Sequence, residues 1–210
     1  MDTDKSPPAS RMKQVRILLW VLVALALLGT AALLLLRRAQ VDPPEVQTAS
    51  AGVSFGGPFT LVGADGKPFS SDRLSGKPYA IFFGFTRCGD VCPVTLSRLA
   101  KLRREAAADG KLNIVFVTID PKNDGPKEVG QYATLFNAAI IGLTGSPAQI
   151  DQVKKQYGIH AEPTPHAAAG QEMQHTSTVL LFDEDGRFVA TVAPDEPDSS
   201  ALAKLKRVTA

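Results

Sequence analysis

No charged residue interrupts positions 17–36. As a helix, twenty such residues reach about 30 Å, the thickness of the hydrocarbon layer of a bilayer, so the stretch predicts a transmembrane helix. A cleaved signal peptide is the rival reading, but its apolar core runs to about 7 to 15 residues and closes on small residues. Here Leu33 to Leu36 lead straight into Arg37-Arg38, which favours a retained anchor. Lys5, Arg11, Lys13 and Arg16 precede the span, two arginines follow it, and the next lysine is Lys67. This bias predicts a cytoplasmic tail at 1–16 and the rest of the chain on the outer face. For a bacterial inner membrane, the expectation is a single-pass protein with its C-terminal domain in the periplasm, where thiols can be oxidised.

Six of the 23 Lys/Arg and two of the 21 Asp/Glu lie before residue 39, so the remainder carries 17 basic against 19 acidic side chains. A slightly acidic domain with dispersed cations lacks the electrostatic footprint of a nucleic-acid binder. The polar, small residues of 37–57, with Pro43-Pro44, read as a flexible tether, and 58–210 as the folded domain. Within it, 59–62 and 67–69 flank an Asp65-Gly66 turn and predict a hairpin. The apolar run 79–85 predicts a buried central strand. Leu96, Leu99, Leu102 and Ala106 recur at helical spacing after Pro93 and predict an amphipathic helix. Further elements are expected as a strand at 113–119, a helix at 126–136, an apolar segment at 139–143 and a helix at 147–157 capped by Ser146. Residues 158–174 read as a long loop. A second hairpin (178–182, 188–192) and a helix at 199–208 complete the order, which fits an α/β fold, a thioredoxin-like domain with a mixed sheet flanked by helices.

The chemistry concentrates on the chain's two cysteines, Cys88 and Cys92, placed where the buried strand gives way to the helix. A helix N-terminus favours thiolate, the form that binds soft metals and attacks disulfides. A five-residue loop gains little from a structural crosslink, and the flanking Arg87 and Asp90 argue against burial of both thiols. A closed zinc site needs four protein ligands. Cu(I), in contrast, accepts two thiolates and one imidazole. Three histidines are available. His160 and His166 lie in the long loop among Ala, Gly and Pro, where solvation is the default. His175 ends that loop, and in a thioredoxin-like sheet it arrives beside the turn bearing the cysteines, which makes it the chosen third ligand.

Three segments carry a resemblance to a known family: Phe83-Gly84-Phe85-Thr86-Arg87-Cys88-Gly89-Asp90-Val91-Cys92-Pro93, Val117-Thr118-Ile119-Asp120-Pro121 and Gln174-His175-Thr176-Ser177. Together they resemble the Sco (SenC) family of membrane-anchored copper proteins. The resemblance implies a copper ion held by Cys88, Cys92 and His175, and a role in assembling the binuclear copper centre of cytochrome c oxidase subunit II. It also implies Asp120 as a neighbour of the site, either a partner of its ligands or an Asp that simply ends a strand before Pro121. Asp90 matches the Asp found between the family's cysteines. Gly89 stands where the family usually has Pro, and Gln174 where an acidic residue commonly precedes the His. Met173 reads as a packing residue rather than an extra ligand.

Two functions follow. The first is a copper metallochaperone that takes copper, Cu(I) or Cu(II), from a donor protein and passes it to the oxidase subunit or a related cuproprotein. The second is a thiol-disulfide oxidoreductase in which Cys88 and Cys92 reduce the target's cysteines before metal arrives. A peroxiredoxin-like peroxidase is disfavoured because Arg87, immediately before Cys88, is expected to point away from the thiol.

Overall fold

The computed structural model describes residues 9–39, 55–106, 110–165 and 173–210, with side chains of the first segment described for 15–30. The chain divides into two units, Met1–Val53 and Ser54–Ala210. In the first, α1 (Ala9–Ala39) is 31 residues long, and its described apolar side chains, Trp20 and Leu28 among them, are exposed. Among the described residues, no helix is long and apolar enough to cross a membrane. The expected span, 17–36, extends past the last described side chain of that helix.

The second unit opens with the hairpin β1 (Thr60–Gly63) and β2 (Pro68–Ser70), followed by β3 (Tyr79–Gly84) and α2 (Val91–Glu105). Next come β4 (Asn113–Thr118), α3 (Pro126–Ala133), β5 (Ile140–Thr144) and α4 (Pro147–Gln156). The chain ends with β6 (Ala161–Pro163), β7 (Met173–His175), β8 (Val179–Phe182), β9 (Phe188–Val192) and α5 (Asp198–Val208). Seven strands form one mixed sheet in the order β2-β1-β5-β4-β3-β8-β9, and β6-β7 form a separate ladder. β3, β4 and β5 are mutually parallel, whereas β8 runs antiparallel to β3. Their directions bring the C-terminal ends of the three parallel strands and the N-terminal end of β8 to one pole of the sheet. In open α/β sheets, such a pole is where ligands are held.

Every residue of β3 and of β8 is buried, as continuous apolar runs in covered central strands require. Leu96, Leu99 and Leu102 turn the apolar face of α2 into the core. α4 begins at Ser146 with a full capping box, the Ser146 hydroxyl accepting from the Gln149 amide and the Gln149 side chain accepting in return. Two expectations shift. α3 stops at Ala133 and passes into a 3-10 turn, Thr134–Phe136, closed by Asn137 in the left-handed region. The stretch expected as one long loop has paired ends: Ala161 faces His175 and Pro163 faces Met173 across the small ladder. A three-residue ladder is too short to display the alternation by which strands are read from sequence.

At the other pole, packing begins three residues ahead of the expected start of the domain. The Gly56 amide donates to the Gln156 carbonyl at 2.9 Å, and the Phe55 ring meets Phe188 at 5.4 Å between centroids. A Cβ on Gly158 would lie 2.7 Å from the Phe55 ring, and one on Gly56 2.7 Å from Phe182. Both glycines also have positive φ, so backbone and packing both call for glycine there. Tyr79 stacks on Phe182 at 4.8 Å, and its hydroxyl lies 3.4 Å from that of Tyr157.

Candidate functional site

The site is assembled at the pole where β3, β4 and β5 end. β3 delivers the chain to the turn that bears Cys88, and α2 starts at Val91, two residues before the expected Pro93. Cys92 therefore occupies the first turn of the helix rather than the loop before it. Proline is tolerated in a first turn because its missing N–H would have no intrahelical partner there. The Cys92 amide donates to the Cys88 sulfur at 3.4 Å, so the two thiols are neighbours across this turn, and both are free.

Contrary to expectation, both thiols are buried, Cys88 at 8% exposure and Cys92 at 0%. The flanking charges do not prevent this because they face outward. Arg87 donates to Asp120 at 2.8 Å, and Asp90 occupies the N-cap position of α2 without a side-chain hydrogen bond. Arg87, expected to point away from Cys88, thus reaches the next strand end. Burial first, and then the neighbouring Cys88, pushes the Cys92 thiol well above the ordinary thiol range. This reverses the expectation that the helix N-terminus would favour its thiolate: desolvation of the charged form outweighs the dipole.

His175 ends β7 and enters the pocket edge-on to Phe82 and Phe85. Its Nδ1 lies 3.0 Å from the Thr176 carbonyl. A carbonyl only accepts, so Nδ1 carries the ring proton, and Nε2 of the neutral ring keeps its lone pair. That Nε2 lies 3.6 Å from the Cys92 sulfur. Burial holds the imidazole below its usual range, the Thr176 contact opposing only in part, so the ring is neutral at neutral pH. Cys88, Asp90, Met173, Gln174 and His175 share one open cavity, with Phe85 and Val91 on its wall.

Eighty-seven positions apart at their extremes, three of the expected residues are thus gathered at one pole, with Cys92 and His175 in contact. Cys88 faces the Cys92 amide, and among the described residues no group of three or more His, Cys, Asp or Glu is already set to hold a metal ion. As donors, two sulfurs and a neutral imidazole suit a soft cation. The other candidates lie apart. His160 is exposed and faces Glu162 at 3.5 Å, and His166 lies outside the described residues. Asp120 accepts from Arg87 and from Asn123 at 2.8 Å; it braces the turn that carries Cys88.

Three residues were missed. Gly84 leaves room for the deeper thiol, since a Cβ there would stand 2.8 Å from the Cys92 sulfur; its place in the Phe83-Gly84-Phe85 run was the available signal. Asp124 is completely buried and accepts from Thr86 and Thr118. Tyr132, packed on Phe116 at 5.1 Å, has a buried hydroxyl with no partner among the described residues. Burial, and then the fields of Cys92, Cys88 and Asp124, hold that phenol well above its usual range.

A mixed α/β sheet with two thiols and an imidazole at the carboxyl pole defines a thioredoxin-like domain of the thiol–imidazole kind. The SCO1/SenC family model matches residues 47–210, and the chain belongs to that family. It is 32% identical over 193 residues to the mitochondrial protein SCO2 of Saccharomyces cerevisiae, covering 88% of this chain and 64% of the yeast protein. With the SCO2-like protein of Rickettsia felis it shares 31% identity over 194 residues, 89% of this chain and 94% of that one. The structure of Bradyrhizobium japonicum ScoI with copper bound superposes with a TM-score of 0.65 at 37% identity, over 73% of this chain and 99% of that one.

Proposed function

We propose that this protein is a membrane-anchored copper metallochaperone that binds copper through Cys88, Cys92 and His175 and delivers it for assembly of the binuclear copper site of cytochrome c oxidase. The observation that carries the reading is the 3.6 Å approach of His175 Nε2 to the Cys92 sulfur, with Nδ1 committed to the Thr176 carbonyl. The copper-bound ScoI relative supports it. Residues 17–36 are the membrane anchor in this reading, and the thiol domain works on the periplasmic face. The recipient is cytochrome c oxidase subunit II or a related cuproprotein, and a copper donor protein loads the site.

Copper capture displaces the thiol protons. The buried Cys92 thiol, reluctant to ionise alone, loses its proton when a cation replaces it, so binding tightens as pH rises. His175 needs no deprotonation, because burial already keeps its ring neutral. Cys88 and His175 both line the open cavity, whereas Cys92 lies beneath it at 0% exposure, so a recipient approaches the site through the first two. The test is spectroscopy of the protein with Cu(I) and Cu(II), wild type beside His175→Ala. Sulfur-to-Cu(II) charge-transfer bands that weaken or vanish in the variant are expected. Absence of retained copper in the wild type, or binding indifferent to His175, overturns the reading.

A second reading draws on the adjacency of the two thiols across one turn. Cys88 and Cys92 can pass electrons to a target disulfide as they close their own, freeing the target's thiols for metal. The two roles exclude each other at any instant, since a disulfide has no thiolate to offer copper. Disulfide exchange that persists in His175→Ala and stops in Cys88→Ser distinguishes this role from metal transfer.

A further inference from the structure

Beneath the thiol turn lies a buried carboxylate to which neither proposed role assigns a task. Asp124 has no exposed surface. Its Oδ2 accepts from the Thr86 amide at 2.9 Å and from the Thr118 hydroxyl at 2.6 Å, and its Oδ1 accepts from the Thr86 hydroxyl at 2.5 Å. Its own amide donates to the Asp120 carbonyl at 3.0 Å, and its carbonyl accepts from the Thr144 hydroxyl at 2.6 Å. One residue thereby joins the ends of β3, β4 and β5, the three strands that frame the pole. Thr86 is the last residue but one before Cys88.

A buried carboxylate is costly unless hydrogen bonds replace its water. Here four donors converge on one residue, three of them on the carboxylate and two of those from Thr86. The three bonds to the carboxylate are charge-assisted, and the two from the Thr86 and Thr118 hydroxyls are short, at 2.5 and 2.6 Å, which makes them directional. The cost is borne where the fold has least regular structure, between the end of β3 and the start of α2.

We propose that Asp124 is a positioning residue for the thiol pair: its carboxylate fixes Thr86, and through it the separation and orientation of Cys88 relative to Cys92. The inference rests on the thiols being the functional groups, as both readings above require, and does not depend on which of the two operates. It also predicts what each substitution preserves. In Asp124→Asn the amide oxygen can still accept from the Thr86 amide and Thr118, while its NH2 group donates to the Thr86 hydroxyl, which turns to accept. Asp124→Ala supports none of these bonds.

The experiment follows two readouts in full-length protein, the Cys88–Cys92 dithiol–disulfide equilibrium in glutathione buffers without metal, and Cu(I) affinity by competition. Asp124→Ala is expected to shift the equilibrium constant by about tenfold or more and to weaken Cu(I) binding by about 10- to 100-fold, the range typical of partners that orient metal ligands. Asp124→Asn should recover most of both. Tyr157→Phe, at the opposite pole, removes a hydroxyl bonded to the Gly57 carbonyl and should move neither by more than about threefold. Should Asp124→Ala not fold, Thr86→Val decides, because it cuts only one link to the turn and is expected to shift the equilibrium several-fold. Wild-type behaviour of the decisive variant overturns the proposal, and so does an equal shift in Tyr157→Phe. If the wild type binds no copper, the metallochaperone reading falls while the thiol equilibrium still tests Asp124.

Discussion

The two poles of the sheet solve opposite problems. Where β3 begins, Tyr79, Tyr157, Phe182, Phe188 and Phe55 close the domain with ring contacts, and two glycines admit the rings where a Cβ would collide. Where β3 ends, apolar closure stops at Phe85. Beyond it, a carboxylate and three threonine hydroxyls stitch the strand ends, leaving an open cavity beside the thiols. Ring packing fills the first pole with side chains that leave only the Tyr79 and Tyr157 hydroxyls polar, whereas a hydrogen-bonded floor holds polar residues in fixed directions while one side stays accessible. The contrast teaches that the thiols are buried in the same apolar core as Phe82, Phe85 and Phe116, while the hydrogen-bonded floor fixes the turn that carries them.

The sharpest break in this contrast should come from the sulfurs themselves. Cys92→Ser exchanges a soft donor for a hard one and should reduce Cu(I) affinity by about 100-fold or more, measured by competition with a chelator. A change below about tenfold would mean that His175 and Cys88 suffice. Paired glycine substitutions come next. Gly84→Ala drives a methyl toward the Cys92 sulfur, and Gly158→Ala drives one into the Phe55 ring with φ at +63°. Each should cost about 1–3 kcal/mol in urea unfolding. Only Gly84→Ala should also disturb the thiol equilibrium, and the same disturbance from Gly158→Ala would erase the distinction between the poles.

Alkaline pH probes both ends together. Cys92, Tyr79, Tyr132 and Tyr157 are all held above their ordinary ranges, mainly by burial. A group raised in the fold keeps its proton after the unfolded chain has lost it, so its stabilising share is whole below the unfolded value and drains away as pH climbs past it. The stability carried by the thiol should start to fall near pH 8.5, the loss reaching about 2 kcal/mol by pH 10. Urea midpoints of the metal-free protein should flatten over that window in Cys92→Ser. An unchanged slope would place Cys92 in a wetter setting than its burial implies. The smallest effect is expected from Asp120→Ala. It severs a bridge to Arg87, whose side chain is 48% exposed, and should cost less than about 1 kcal/mol and change copper affinity by less than about threefold. A larger loss of affinity would make Asp120 a partner of the ligands themselves.

Much of the frame was legible because its signals are local. The unbroken apolar run of β3, the leucine spacing of α2 and the Ser146 cap each declare themselves within a dozen residues. The meeting of Cys92 and His175 was legible only through the resemblance and the topology together, since 83 positions separate them. Asp124 was not. In sequence it sits in a Lys-Asn-Asp-Gly stretch that reads as a solvated turn, and its burial depends on hydroxyls supplied by three different strand ends. The depth of the thiols was misread for a related reason. Arg87 and Asp90 suggested an exposed segment, but the direction of each side chain is decided by partners such as Asp120 that adjacency does not reveal.

The imidazole and the thiols reach each other from separate hydrogen-bonded bodies, His175 from the two-stranded ribbon and Cys92 from the first turn of a helix seated on the main sheet. An ion shared between them would act as a rivet, fastening the ribbon to the sheet in addition to being carried. Release of the cargo would then unfasten the ribbon, so that how firmly this strip is held would itself report whether the protein is loaded.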